Sequence, residues 1–149
     1  MIFEKFTEES QVWIYGADRF LNTQEEIFIQ NNIDSFISKW ATHGTELVAT
    51  GGILHHNFIV IVSDESNVRN SGCSIDSSVR FIKDLGRELN IDFFNRLSVL
   101  LEKEGIYKRV HFKDLSLYQD WNMFDPMVKN LKDLREKWEV LVGESPFVN

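Results

Sequence analysis

Residues 70–80, NSGCSIDSSVR, set the only cysteine of the chain among four serines, an aspartate and an arginine. Two chemistries are open to such a stretch. Cys73 can serve as a nucleophile or redox-sensitive thiol, or the free N–H groups of a helix start, joined by the hydroxyls of Ser74, Ser77 and Ser78, can hold an anion. Ile75 opens an apolar stripe, which makes Ser74 the expected N-cap and puts Asp76 in the first turn. Cys73 then stands one residue ahead of the cap, where a small thiol packs as a buried apolar group. This plain structural role is preferred, because no base stands at a spacing that would serve the thiol. Cys73 to Arg80 is C-x6-R, one residue longer than the phosphate loop of cysteine phosphatases, and one helical residue swings an arginine by about 100°. Asp76 and Arg80, at i and i+4, are instead expected to pair with each other. No C-x-x-C is present for thiol exchange, and no G-x-x-x-x-G-K-S/T for ATP, so the chain is not a P-loop ATPase.

Arg19 is the second candidate. It closes GADR, residues 16–19, between an apolar strand pattern and a helix start, which places it at a sheet end or makes it part of the turn. DFFNR, residues 92–96, repeats the pairing of acid and arginine around aromatics, and in an extended segment Phe93 and Phe94 face opposite ways. His43, His55, His56 and His111 show no zinc-ligand spacing, so neither a metal nor another cofactor is expected. His43, just before Gly44, is expected to cap the end of the first helix.

These residues need elements to hold them. QVWIYG, residues 11–16, has β-branched and aromatic residues bounded by Gly16, which suits a buried strand, and Thr23 with Glu26 forms an expected capping box ahead of a stripe of Ile29, Ile33, Phe36, Ile37 and Trp40 that Gly44 can end. ELVATGGIL and NFIVIVSDE flank HHN as a hairpin, with Gly51 and Gly52 marking a bulge or a close backbone approach. A second helix is expected over residues 74–89, with Ile75, Val79, Ile82, Leu85 and Leu89 inward, and RLSVLLEK and IYKRVHF make a second hairpin at Glu104-Gly105. The order β-α-β-β-α-β resembles a ferredoxin-like core over about residues 11–112, an antiparallel sheet with both helices on one face. Residues 113–149 then form a helical extension with EVLV as an edge strand, the whole of 1–149 making one α+β domain.

Composition bounds the partners. Twenty-three acidic residues against 16 basic ones give a net charge of −7, which repels a phosphate backbone, so nucleic acid is not an expected partner. The longest basic cluster, YKRVHFK at 107–113, reads as a strand with one solvated face. No apolar run is long enough to enter a membrane, MIFEKFTEESQVW lacks the pattern of a signal peptide, and one cysteine suits a reducing compartment; a cytoplasmic location is expected.

VWIYGADR, SGCSIDSSVRFIKDLG, DFFNR and NLKDLREKWEV together resemble a family of short, uncharacterised bacterial proteins of similar length, often labelled "ABC transporter ATPase". The resemblance spans most of the chain, is most specific at Gly72-Cys73-Ser74-Ile75-Asp76, and implies a site at Arg19 and between Ser71 and Arg80. The expected function is a small binding or regulatory module for a small molecule or protein partner, with Arg19, Cys73, Ser74, Asp76, Ser77, Ser78 and Arg80 lining a polar site. The alternative is an enzyme using Cys73 as nucleophile, with His43, His55 or His111 as base.

Overall fold

The computed structural model describes residues 3–42, 44–66 and 69–148. Its first half runs β1 (Gln11–Gly16), α1 (Thr23–Lys39), β2 (Ala41–Thr42), β3 (Thr45–Glu46), β4 (Val48–Leu54), β5 (Phe58–Asp64) and α2 (Gly72–Leu89). β5 lies between β1 and β4, antiparallel to both, and β2 pairs with β3. Every side chain from Phe58 to Val62 is buried, because both faces of the central strand are covered. Alternation divides them: Ile59 and Ile61 meet Ile29 and Ile33 of α1 and Ile82 and Leu85 of α2, while Phe58, Val60 and Val62 point to the opposite side.

What covers that opposite side is the second half of the chain. β6 (Ser98–Lys103), β7 (Ile106–His111), β8 (Asn122–Phe124) and β9 (Glu139–Leu141) form a second antiparallel sheet in the order β7-β6-β8-β9. Its Leu100 and Phe124 pack on Val12, Phe58, Val60 and Val62, joined by Leu131 and Leu134 of α3 (Leu131–Lys137) and by Trp138. Val99, Leu101 and Met123 face away, onto Leu115 and Val142 from the 3-10 turns Phe112–Tyr118 and Val142–Glu144. The protein is therefore α+β, with helices, sheet and second sheet in successive layers. The expected element order is present along the chain, but β6 pairs with β7 and β8 and does not join β1, so the single ferredoxin-like sheet is replaced by two. The extension is less helical than expected. Residues 122–124 are a strand, and only Leu131–Lys137 of PMVKNLKDLREKW is α-helix, while EVLV supplies the edge strand β9.

Both long helices start earlier than the sequence suggests. α1 is capped by Asn22, whose side chain accepts the Glu25 N–H at 2.8 Å while Glu25 accepts the Asn22 N–H at 3.0 Å, in place of Thr23 with Glu26. It ends at Lys39 with Trp40 as cap, before Gly44; the role expected of His43 lies outside the described residues. α2 is capped by Ser71, which accepts the Ser74 N–H at 3.2 Å, so Ser74 is inside the helix rather than its cap. The inward face of its first turns is Ser74 and Ser78, with Ile75 and Val79 only half-buried. Small residues are needed there because the Trp40 indole packs close enough to donate to the Ser74 carbonyl at 2.8 Å. Gly51 answers the question of bulge or close approach: the β4–β5 register is unbroken, and a Cβ on Gly51 would stand 2.8 Å from Ile33 Cγ2. Between these strands His55 and His56 adopt φ of 54° and 53°, conformations that cost a non-glycine residue roughly 1–2 kcal/mol each. His56 is held by Glu26 at 2.6 Å, and the His55 ring rests against Phe124 and Trp138.

Candidate functional site

Arg19 and the Cys73 block lie at opposite ends of α2. The 18 residues of that helix place them about 25 Å apart, so no common site includes both. Arg19 sits at the C-terminal end. Its guanidinium donates to both Glu25 oxygens, at 2.9 and 2.7 Å, and to the Leu89 carbonyl at 3.1 Å, tying the start of α1 to the last turn of α2. The Arg19 bonds, followed by the Asn22 N–H, hold the Glu25 carboxyl down to about 2.

At the N-terminal end the hydroxyls are used by the helix itself. Ser74 donates to the Ser71 carbonyl at 2.9 Å, Ser77 to that of Ser74 at 2.8 Å, and Ser78 to that of Ile75 at 2.7 Å. Ser74 and Ser78 are buried, which removes them from any anion at the surface. Asp76 and Arg80 are both exposed, and among the described residues no ion pair joins them, contrary to the i,i+4 expectation. Cys73 is exposed rather than packed behind a cap. The physical reason is the earlier helix start: position 73 falls in the first turn, about 100° around from the inward Ser74. The described histidines are engaged elsewhere, His111 accepting the Lys113 N–H at 3.1 Å as a cap and His55 and His56 in the β4–β5 turn. Among the described residues no three His, Cys, Asp or Glu side chains are grouped to hold a metal, and no helix is long and apolar enough to cross a membrane.

Polar groups with bonding capacity left over occur between the two sheets. A cavity of about 290 Å³ is bounded by Ile14, Tyr15 and Gly16 of β1, Phe58 of β5, Ser98, Val99 and Leu100 of β6, and Arg109 of β7. Residues 93–96 close one side, and Phe124, Met127, Trp138 and Phe147 close another. Gly16 keeps the space open, since a Cβ there would stand 3.2 Å from the Phe58 ring and 3.7 Å from Arg109 Nη2. Phe58, Phe124 and Trp138 form a mutual cluster with ring centroids 4.9 to 5.3 Å apart, a rigid apolar wall. Phe93 and Phe94 both pack on the first core, against expectation, because the segment is bent: the Asp92 carboxylate accepts the Phe94 N–H at 2.8 Å.

Two donors on this wall stand out. Arg109 is half-buried, and its Nη2 donates to the Ala17 carbonyl at 2.5 Å and to Asn57 Oδ1 at 3.0 Å, with Nη1 3.4 Å from Ser98 Oγ. Among the described residues no carboxylate pairs with it. Burial pulls its pKa below the usual arginine value, while the charge of Asp18 opposes the shift. Trp138 is buried to 4% exposure, and its Nε1–H is the one buried side-chain polar atom among the described residues that has no hydrogen-bond partner. Native interiors rarely leave such a group unpaired.

Sequence reasoning missed both. Alternation in YKRVHF does put Val110 toward one core and Arg109 on the other face, as the structure has it. That face is covered by the first sheet, where Arg109 meets Ala17 and Asn57, and is not the solvated face the sequence suggests. Of DFFNR, Phe93, Phe94, Asn95 and Arg96 line the cavity. Comparison of the chain with protein-family models, with curated proteins and with solved structures gives no match in any of the three.

Proposed function

We propose that this protein is a small-molecule binding module whose ligand occupies the cavity between the two sheets. The observation that carries the reading is Arg109, a half-buried cation with no carboxylate partner among the described residues, set in the wall of an otherwise aromatic cavity. A partly buried charge left without a counter-charge is costly, and an anionic or polar ligand group would offset that cost. The cavity is at the lower end of the size range for ligand pockets and has their usual character, apolar walls with a few placed polar groups. A compact ligand of one or two rings suits it. The reading keeps the class expected from the sequence, a binding module, and moves the site away from Arg19 and Cys73, whose neighbours are already engaged in capping and helix bonds.

The test is a panel of one- and two-ring compounds, neutral and charged, followed by thermal shift and by the Nε1–H resonance of Trp138. Saturable binding that moves this resonance, and that is abolished by filling the cavity with Ser98→Trp, is the expected result. If no compound in the panel shifts either signal, the reading is wrong.

A further inference from the structure

We infer that the ligand of this cavity is a compact organic carboxylate, its carboxylate on Arg109 and its ring against Phe58, Phe124 and Trp138; the inference rests on the cavity being the ligand site. The first ground is charge. The chain has 23 acidic residues, yet the cavity wall holds two arginines, Arg96 and Arg109, and no Asp or Glu. In a protein of net charge −7, that local sign is selective for an anion.

The second ground is the bonding of Arg109. A guanidinium has five N–H donors. Both hydrogens of Nη2 are directed to Ala17 and Asn57, and Ser98 Oγ is a long 3.4 Å from Nη1, which leaves Nε and part of Nη1 with no partner among the described residues. Nε–H shares its planar edge with Nη2, whose hydrogens are taken, so the remaining Nε–H and Nη1 hydrogens each offer a single charge-assisted bond to a carboxylate oxygen. A half-buried cation without a counter-ion is costly, and neutral oxygens alone compensate it poorly. Fixed by Ala17 and Asn57, the group is also oriented in advance, so a ligand need not order it.

The third ground separates a carboxylate from a phosphate. A dianionic phosphate has three terminal oxygens to satisfy and calls for a helix N-terminus or a nest of backbone N–H groups. The wall offers the remaining N–H groups of Arg109 and the more exposed Arg96, with no helix N-terminus among its lining residues, which matches a monoanion.

The test compares indole-3-acetate with indole-3-acetamide, and phenylacetate with phenylacetamide and phenyl phosphate, by calorimetry at pH 7 on the full chain. The acids are expected to bind at least tenfold tighter than the amides of the same shape, and tighter than phenyl phosphate. Arg109→Gln is expected to remove most of that preference, read as the ratio of acid to amide affinity. Since Arg109 also braces Ala17 and Asn57, the exposed Arg96→Gln gives a second variant, with a smaller loss expected for the acids alone. Equal binding of acid and amide, or stronger binding of phenyl phosphate, overturns the carboxylate assignment and leaves the cavity reading standing. Binding of neither acid nor amide overturns both.

Discussion

Trp40 and Trp138 are buried alike, at 3% and 4% exposure, and each is surrounded by other aromatic rings. The Trp40 N–H donates to the Ser74 carbonyl at 2.8 Å, whereas that of Trp138 has no partner. The same contrast extends to their surroundings. Around Trp40 the polar groups close on one another, with Ser77 donating to the same Ser74 carbonyl and Ser74 to that of Ser71. Around Trp138 no polar group closes on the N–H, and the residue borders a cavity that Arg109 and Arg96 also line. One region is built to stabilise the fold. The other retains bonding capacity that the fold does not use, which is where function is to be sought.

Replacing each tryptophan by phenylalanine breaks this comparison most directly. Both changes lose similar ring volume, so packing costs nearly cancel, and Trp40→Phe also loses a net hydrogen bond of about 1 kcal/mol. Urea unfolding should therefore show Trp40→Phe to be the less stable variant by about that amount. Equal midpoints, with equal slopes, would mean that the two indole N–H groups are not differently engaged.

A smaller effect is expected at Arg19, the sequence candidate that turned out to be a brace. Its bonds lower the Glu25 carboxyl from 4.5 to about 2. An acid lowered in the folded state stabilises it above the ordinary value, and that contribution is lost as pH falls toward the folded value. Wild-type stability should thus decline between about pH 5 and pH 2, and Arg19→Met should flatten that part of the profile. Because Arg19 is largely exposed, the pair is worth no more than about 1 kcal/mol at neutral pH. Ligand binding in the cavity should be unaffected by this variant.

The smallest effect is expected at Cys73. Its side chain is exposed, so Cys73→Ser should change stability by less than about 0.5 kcal/mol. Iodoacetamide should modify the native protein at this residue without prior unfolding, and a thiol protected until the fold is lost would contradict its placement.

What could be read in the sequence follows a physical line. The strand at QVWIYG, the two hairpins and the existence of both long helices depend on local residue types, periodicity and turn residues, and these match the observed elements closely. The helix starts were misplaced because neighbouring residues were all competent caps: Asn22 beside Thr23, and Ser71 three residues before Ser74. Local chemistry permits each of them. Tertiary contacts chose, through Arg19 on Glu25 at one helix and Trp40 on Ser74 at the other.

By itself, then, the sequence determined an α+β chain with an acidic surface, its antiparallel hairpins and the amphipathic faces of its helices, since each follows from residue type and spacing within a few positions. Only the tertiary structure decided that β6 would enter a second sheet, that this sheet would cover the outer face of the first, and that Arg109 would be enclosed rather than solvated. Alternation tells which side chains share a face; it carries no information about what another part of the chain, some 50 to 90 residues away, lays against that face. The cavity and the enclosure of Arg109 arise from that long-range choice, in which Arg109 meets Ala17 and Asn57, and Trp138 meets Phe58.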